Sequence, residues 1–126
     1  MTHTVAYNRE YGFIETIAQG KLTANEAKEI ISEIARVARE KNCFLYLSDY
    51  REATIEMSTL QIHDIPNVLS DLVTSLGLHP RQFKRAIVVQ KSYQDFYFFE
   101  TVTLNAAQNI KLFQDINEAK AWLLRD

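Results

Sequence analysis

An acid and a guanidinium, Asp49 and Arg51, stand two residues apart just past the apolar run 43–47. A continuous apolar run of this kind predicts a buried central strand, and ligands of open α/β sheets usually bind at the carboxyl ends of such strands. Side chains two apart on an extended chain face the same way, so the pair can hold a polar ligand. A structural salt bridge that orders the following loop explains the same residues. An enzyme with Asp49 as base and Arg51 as anion clamp is a further hypothesis.

Ser58 stands three residues before Gln61, which is the spacing of a helix capping box. In that arrangement each side chain accepts a hydrogen bond from the backbone N–H of the other residue. A phosphate on Ser58 would also be stabilised there by the helix dipole and by free N–H groups. Ser58 is therefore a candidate phosphorylation or binding residue, although capping alone explains its position.

The densest aromatic segment of the chain spans 93–99 and ends in four consecutive aromatic residues, Phe96, Tyr97, Phe98 and Phe99. On a helix these residues sweep almost a full turn, so they cannot all face one core. We expect at least one ring to be exposed or to be covered by a second subunit, a ligand or a membrane surface. A homodimer interface is one interpretation; a helix wedged between sheet and neighbouring helix, with Tyr97 half exposed, is the other.

Basic residues concentrate around a strand predicted over 83–90. They are His79, Arg81, Lys84, Arg85 and Lys91. An anion or an acidic partner can dock on such a cluster. We interpret it as a solvated loop, because short basic clusters on a chain with a net charge of -2 rarely indicate nucleic-acid binding.

The residue types that carry metal and nucleophilic chemistry are sparse. The histidines share no metal-ligand spacing and Cys43 falls in a predicted core strand, so we expect no metal site. No Ser/His/Asp or Cys/His arrangement is recognisable, and the three glycines form no phosphate-binding loop. We therefore expect neither a cofactor nor an enzymatic activity.

The elements that must position these residues are marked by four capping signals, each after a strand-like run. These signals are Thr23–Glu26, Ser58–Gln61, Ser92–Asp95 and Asp115–Glu118. Strands are predicted over 3–8, 13–19, 43–47, 83–90 and 110–113, and helices follow each of the four caps. Pro66 predicts a short first piece of the second helix and then a kink or restart before Gly77 ends it. The order ββαβαβαβα predicts an α/β fold, with a mixed sheet of about five strands and four helices.

Length and composition describe one domain over 1–126. The chain has ordinary apolar and charged fractions, a single cysteine and no apolar run near the ~18 residues of a membrane span. Its first residues lack the basic and apolar regions of a secretory signal. We expect a cytoplasmic protein with no integral membrane association and no nucleic-acid partner.

The order of these elements, together with several local stretches, resembles the SpoIIAA-like superfamily, whose fold is shared by STAS domains. The matching stretches are Gly20-Lys21-Leu22-Thr23, Leu45-Tyr46-Leu47-Ser48-Asp49-Tyr50-Arg51, Arg85-Ala86-Ile87-Val88-Val89, and Ile110-Lys111-Leu112-Phe113 running into Ala119-Lys120-Ala121-Trp122-Leu123. The resemblance implies a SpoIIAA-like fold and action by binding partners. Regulatory members carry a phosphorylatable serine in an Asp-Ser-Ser-Gly-like turn. Here Asp49 can take the acidic position, but the serine pair and the glycine are absent.

Two functional hypotheses follow, in addition to the enzyme described above. The first is a non-enzymatic binding or regulatory module, cytoplasmic and dimeric, that uses the carboxyl end of the central strand and the start of the second helix. Its partner would be another protein or a second copy. The alternative is a carrier that holds a small apolar or amphipathic ligand in a groove between helices and sheet. The aromatic third helix and the proline of the second helix favour this alternative, because a kinked helix can act as a lid.

Overall fold

The computed structural model describes residues 1–106 and 108–125. Within them the chain forms one five-stranded sheet, four α-helices and a short 3-10 turn. The strands are β1 (Thr2–Asn8), β2 (Phe13–Leu22), β3 (Leu45–Ile55), β4 (Lys84–Val89) and β5 (Asn109–Phe113). The helices are α1 (Ala24–Lys41), α2 (Thr59–Ser75), α3 (Tyr93–Asn105) and α4 (Ile116–Leu124). This confirms the predicted element order and the α/β class.

The strands lie side by side in chain order, with β1 antiparallel to β2 and all later neighbours parallel. When successive right-handed crossover connections add strands in the same direction across a sheet, their helices all lie on the same face. Accordingly α1, α2 and α3 share the larger apolar core with the sheet. The last helix covers the opposite face, where Ala119 and Leu123 pack with Phe13, Leu47 and Val88.

Alternation along β3 divides its side chains between the two faces. Tyr46 and Tyr50 belong to the core under α1 to α3, whereas Leu47 belongs to the core under α4. Ser48 therefore points toward the three helices, and Asp49 points toward the α4 side. The central strand carries polar groups on both faces.

The two central strands are longer than their sequence patterns predict. β3 runs to Ile55 rather than ending at Leu47, and β2 runs to Leu22 rather than Gln19. They stabilise each other, because the parallel ladder continues to the pair Leu22 and Ile55 across an irregularity near Ile17. Polar residues such as Asp49 therefore lie within the strand and not in a loop after it.

Three of the four predicted helix caps are confirmed. Thr23, Ser58 and Asp115 each accept a hydrogen bond from the backbone N–H three residues on. The Ser92 prediction is wrong: its backbone is left-handed with φ 54° and its side chain makes no capping bond. Capping needs an extended backbone at that position, because only then does the side chain reach the third N–H.

The second helix is continuous through Pro66, so the predicted restart does not occur. The proline removes one backbone donor, and packing of α2 on the sheet compensates for that loss. The predicted stop is confirmed: Gly77 has φ 79° and donates to Thr74, while Leu78 donates to Val73. These two bonds form a Schellman motif, in which glycine tolerates the left-handed conformation.

Candidate ligand-binding site

The Asp49 and Arg51 side chains face the same way and bind each other. Arg51 donates from Nε to Asp49 Oδ1 at 2.9 Å and from Nη2 to Oδ2 at 2.8 Å. The Arg51 backbone N–H adds a third bond to Oδ1 at 3.3 Å. Burial alone would raise the pKa of Asp49, but the hydrogen bonds from Arg51 outweigh it and hold the pKa below its usual value. Both carboxylate oxygens are satisfied within the chain, as the salt-bridge interpretation expects.

A shallow groove of about 250 Å³ surrounds this ion pair on the α4 side of the sheet. Its lining residues are Ile17, Ala18, Gln19, Asp49, Arg51, Glu52 and Gln90. Ile17 is 43% exposed there, and Lys91 pairs with Glu52 at 3.0 Å beside it. The groove thus offers a mixed polar and apolar surface.

Ser58 lies apart from that groove and is not among its lining residues. Gln61 donates its backbone N–H to Ser58 Oγ at 3.2 Å, and Ser58 donates its own to Gln61 Oε1 at 2.9 Å. Both bonds of the predicted capping box are therefore present. The structure does not bring Ser58 together with the Asp49 and Arg51 pair.

The aromatic segment of α3 divides between core and surface. Phe96 and Phe99 are buried in the monomer, and Tyr97 is 53% exposed. The partly buried Phe98 ring meets His63 edge-on, with 5.3 Å between ring centroids. The expected exposure of at least one ring is confirmed. The homodimer interface stays a prediction, and of the four aromatic residues it can use Tyr97 and part of Phe98.

The interpretation of the basic cluster as solvated is wrong for Arg85, although the strand predicted over 83–90 does contain this residue. Arg85 lies in β4 with only 4% of its surface exposed, on the face covered by α1 to α3. Its guanidinium carbon lies 5.2 Å from the ring centroid of Tyr46 and 5.7 Å from that of Phe99. Strand alternation explains the error, because neighbouring Lys84 and Ala86 point to the other face.

Few polar groups compensate this buried charge. Arg85 Nη1 donates to Gln108 Oε1 at 3.2 Å, whereas Nε has no hydrogen-bond partner among the residues that the structure describes. No acidic side chain in the described ranges forms an ion pair with Arg85. Gln108 is itself held in place, because its Nε2 donates to the Pro66 carbonyl at 2.8 Å. The guanidinium is anchored by a neutral amide and has no counter-ion there.

Tyr46 adds a second unsatisfied group beside Arg85. Its hydroxyl is buried and has no partner in good hydrogen-bond geometry among the described residues, although Arg85 lies beside it. Burial raises the pKa of Tyr46 well above its usual value, although the charge of nearby Arg85 and a hydrogen-bonding contact with it, too poorly formed to meet ordinary hydrogen-bond geometry, oppose that effect. Burial also raises the pKa of Tyr50. Both phenols therefore stay neutral at physiological pH and can donate hydrogen bonds.

These groups line a small cavity of about 40 Å³ between the sheet and the three helices, which we name the Arg85 cavity. The sheet contributes a mainly polar floor and the helices an apolar wall. The floor contains Tyr46, Ser48, Tyr50, Arg85 and Ile87, and the wall contains Ala27, Ile30, Ile31, Ile34, Ile65 and Phe99. The one feature of the sequence that could have indicated this cavity is an arginine within the predicted buried strand over 83–90. Gln108 gave no such indication, since it follows α3 in a connecting segment.

No protein-family model matches the chain, and no curated protein matches it. Among solved structures, the chain is similar to an uncharacterised protein of the DUF3478 family from Shewanella loihica PV-4, described as having a SpoIIAA-like fold. The two are 22% identical, with a TM-score of 0.57, over 97% of this chain and 92% of the other. This chain has a SpoIIAA-like fold. The predicted resemblance is thereby confirmed at the level of the fold.

Within this SpoIIAA-like fold, the Arg85 cavity lies under the three crossover helices and the Asp49 groove lies on the α4 face. Across residues 1–106 and 108–125, no group of three or more His, Cys, Asp or Glu side chains could hold a metal ion. In the same ranges no helix has the length and apolar character needed to cross a membrane.

Proposed function

We propose that this protein is a non-enzymatic binding module that holds a small amphipathic molecule in the Arg85 cavity. The observation that carries the proposal is the buried Arg85 guanidinium, which has no counter-ion among the described residues and lies beside an unsatisfied Tyr46 hydroxyl. This favours the carrier hypothesis over a partner site at Asp49, because the Asp49 carboxylate is already fully paired.

The energetics of Arg85 support a missing partner. Burying an ion costs several kcal/mol even after the protein relaxes. Each of the two ring contacts returns about 0.5–1 kcal/mol, with more where water is excluded. The single hydrogen bond to Gln108 returns about 1.5–3 kcal/mol, as expected when one partner is charged. The net free energy of burying Arg85 is therefore near zero or unfavourable. A hydrogen-bond acceptor bound in the cavity would make it more favourable.

The shape of the cavity supports an amphipathic occupant. Small-molecule sites are usually apolar concavities with a few polar groups that fix orientation. Here isoleucines from α1 and α2 face tyrosine and arginine side chains from the sheet. A space of about 40 Å³ holds one or two water molecules as it stands. Even a four-carbon molecule is larger than this space, so the proposal requires the helices to separate from the sheet when it binds.

The chemistry of the lining supports binding without catalysis. General acid–base catalysis needs a group whose pKa lies near the working pH. The cavity is lined by no histidine, cysteine or carboxylate in the described part of the chain. Its two tyrosines have raised pKa values, so neither is a base at neutral pH.

A titration followed by backbone amide NMR shifts tests the proposal. The probes are butanoate, 1-butanol and butylamine, which each contain four carbon atoms and differ in the polar group. We expect at least one probe to shift the amides of Tyr46 and Ile65 in a saturable way. If none of the three does so, the proposal is wrong.

A matched pair of variants locates the binding. Ala27→Val adds two carbon atoms at the cavity wall, whereas Ala121→Val makes the same change on the exposed surface of α4. We expect Ala27→Val to weaken the response and Ala121→Val to leave it unchanged. Native mass spectrometry of protein purified without added ligand then reports any molecule that copurifies.

A regulatory partner surface is the second candidate function. The exposed Ile17 side chain and the 39% exposed Arg51 side chain in the groove favour it. A photo-crosslinker at position 17 should capture one defined protein in cells, while one at exposed Lys28 on α1 should not. Equal labelling from both positions would contradict a specific partner. Both candidates assume the cytoplasmic location expected from the sequence.

A further inference from the structure

We infer that the molecule bound in the Arg85 cavity carries a carboxylate, and that Gln108 is the residue that positions Arg85 to receive it. The inference rests on the proposed function and names the chemical class of its ligand. Three groups inside the fold support it. They are the open edge of the Arg85 guanidinium, the unsatisfied Tyr46 hydroxyl and the Gln108 side chain, which makes two hydrogen bonds.

A guanidinium binds a carboxylate best through two neighbouring donors, such as Nε and Nη2. Arg51 holds Asp49 in this way, with Nε at 2.9 Å and Nη2 at 2.8 Å from the two oxygens. In Arg85 the same edge is open, because Nε has no partner and the one hydrogen bond within the described residues leaves from Nη1. The Arg51 pair thus shows the geometry that an incoming carboxylate would form with Arg85.

The Tyr46 hydroxyl supplies a further donor for the same anion. It lies close enough to Arg85 for the guanidinium charge to affect its pKa, and both side chains line the cavity. Its raised pKa keeps the proton on the phenol, so it donates and does not compete as an anion. One carboxylate can accept from Arg85 and Tyr46 together, since its two oxygens offer about four acceptor sites.

The charge balance favours a monoanion over a phosphate. Arg85 is the one charged side chain among the described residues that line the cavity, and the opposite wall is isoleucine, alanine and phenylalanine. A second negative charge would stay uncompensated in these surroundings, which is strongly unfavourable. A carboxylate with a short apolar chain matches both the single charge and the apolar wall.

Gln108 determines which edge of Arg85 is free. Its Oε1 accepts from Nη1 and its Nε2 is anchored on the Pro66 carbonyl, so the amide cannot turn without losing a bond. It is 5% exposed and links β4 to α2. Gln108→Glu has the same shape and would place a carboxylate beside the guanidinium, where it would act as an internal substitute for the ligand.

The selectivity of wild-type protein is the first test. In acetate-free buffer, we expect butanoate to bind at least about tenfold more tightly than 1-butanol or butylamine, because charged hydrogen bonds discriminate by this order. Equal binding of butanoate and 1-butanol would overturn the carboxylate and leave the proposed function intact. If no probe binds, the proposed function itself fails.

The Gln108→Glu variant is the second test, with Gln94→Glu on the exposed face of α3 as its control. We expect Gln108→Glu to lose about tenfold or more of butanoate affinity while 1-butanol affinity is unchanged. Gln94→Glu should behave as wild type. Unchanged butanoate affinity in folded Gln108→Glu would overturn the role of Gln108.

Tyr46→Phe tests the same site should Gln108→Glu not fold. It removes one donor and keeps the ring against Arg85, so butanoate affinity should fall about fivefold or more with no change for 1-butanol. An unchanged ratio of the two affinities would overturn the assigned donor set. A merely structural role of Tyr46 would change both affinities together.

Discussion

Replacing Arg85 by methionine should leave the unliganded protein about as stable as wild type, although the side chain is 4% exposed. Methionine has a similar length and no charge, so it removes a buried charge penalty of about 3–5 kcal/mol. It also loses two ring contacts worth about 0.5–1 kcal/mol each. Losing the bond to Gln108 and leaving its oxygen unpaired costs about 1–3 kcal/mol. With central values the free energy of unfolding rises by about 0.5 kcal/mol. Breaking a buried ion pair would instead lower it by about 3–5 kcal/mol.

Urea unfolding at neutral pH measures this change directly. Trp122 is a suitable fluorescence reporter because it lies on α4, on the face of the sheet opposite Arg85. The slope of the unfolding free energy with urea concentration should match wild type. A shift in the urea concentration at the midpoint then reports the change in stability. Arg51→Met is the matched control: it leaves the mostly buried Asp49 carboxylate unpaired and should lose about 1 kcal/mol.

A loss of more than about 2 kcal/mol in Arg85→Met would refute the reasoning, since it exceeds the destabilising end of the estimate once the charge penalty is removed. The guanidinium would then be a satisfied part of the core. Saturating butanoate gives an independent check. At one hundred times its dissociation constant it should stabilise wild type by about 2.7 kcal/mol and Arg85→Met much less.

Three further predictions concern single side chains. Tyr46→Phe removes a buried hydroxyl with no partner, so the unliganded protein should be unchanged or gain up to about 1 kcal/mol in urea unfolding, and a clear loss would reveal a hidden partner. The pKa of Asp49 is lowered by folding, so its pairing with Arg51 stabilises at neutral pH and is lost as the pH falls through the folded value. In Asp49→Asn the free energy of unfolding should therefore fall less steeply than in wild type as the pH is lowered from about 5 to about 2. An unchanged pH dependence in that range would contradict the assignment. Ser58→Ala should lose about 1 kcal/mol in thermal unfolding while Ser58→Asp, which also caps, loses less, and equal losses would argue against capping.

The sequence was sufficient for the elements and their order. Three capping signals, the glycine after α2 and the apolar runs are local features, and the helices and strands form where they indicate. The sequence did not predict the ends of β2 and β3, because each strand is extended by pairing with the other. For the same reason Asp49 and Arg51 are strand residues, although their spacing alone placed them on one face.

Burial of the polar residues was decided by tertiary structure alone. Arg85 has the same local pattern as a residue at a solvated strand edge, and only the placement of α1 to α3 on one face of the sheet buries it. Its partner Gln108 is 23 residues away, and the anchor of Gln108 on Pro66 spans 42 residues. A capping box is complete within four residues and is therefore visible in the sequence. A missing counter-ion depends on every segment that packs around the charge, so it is determined only when the chain has folded.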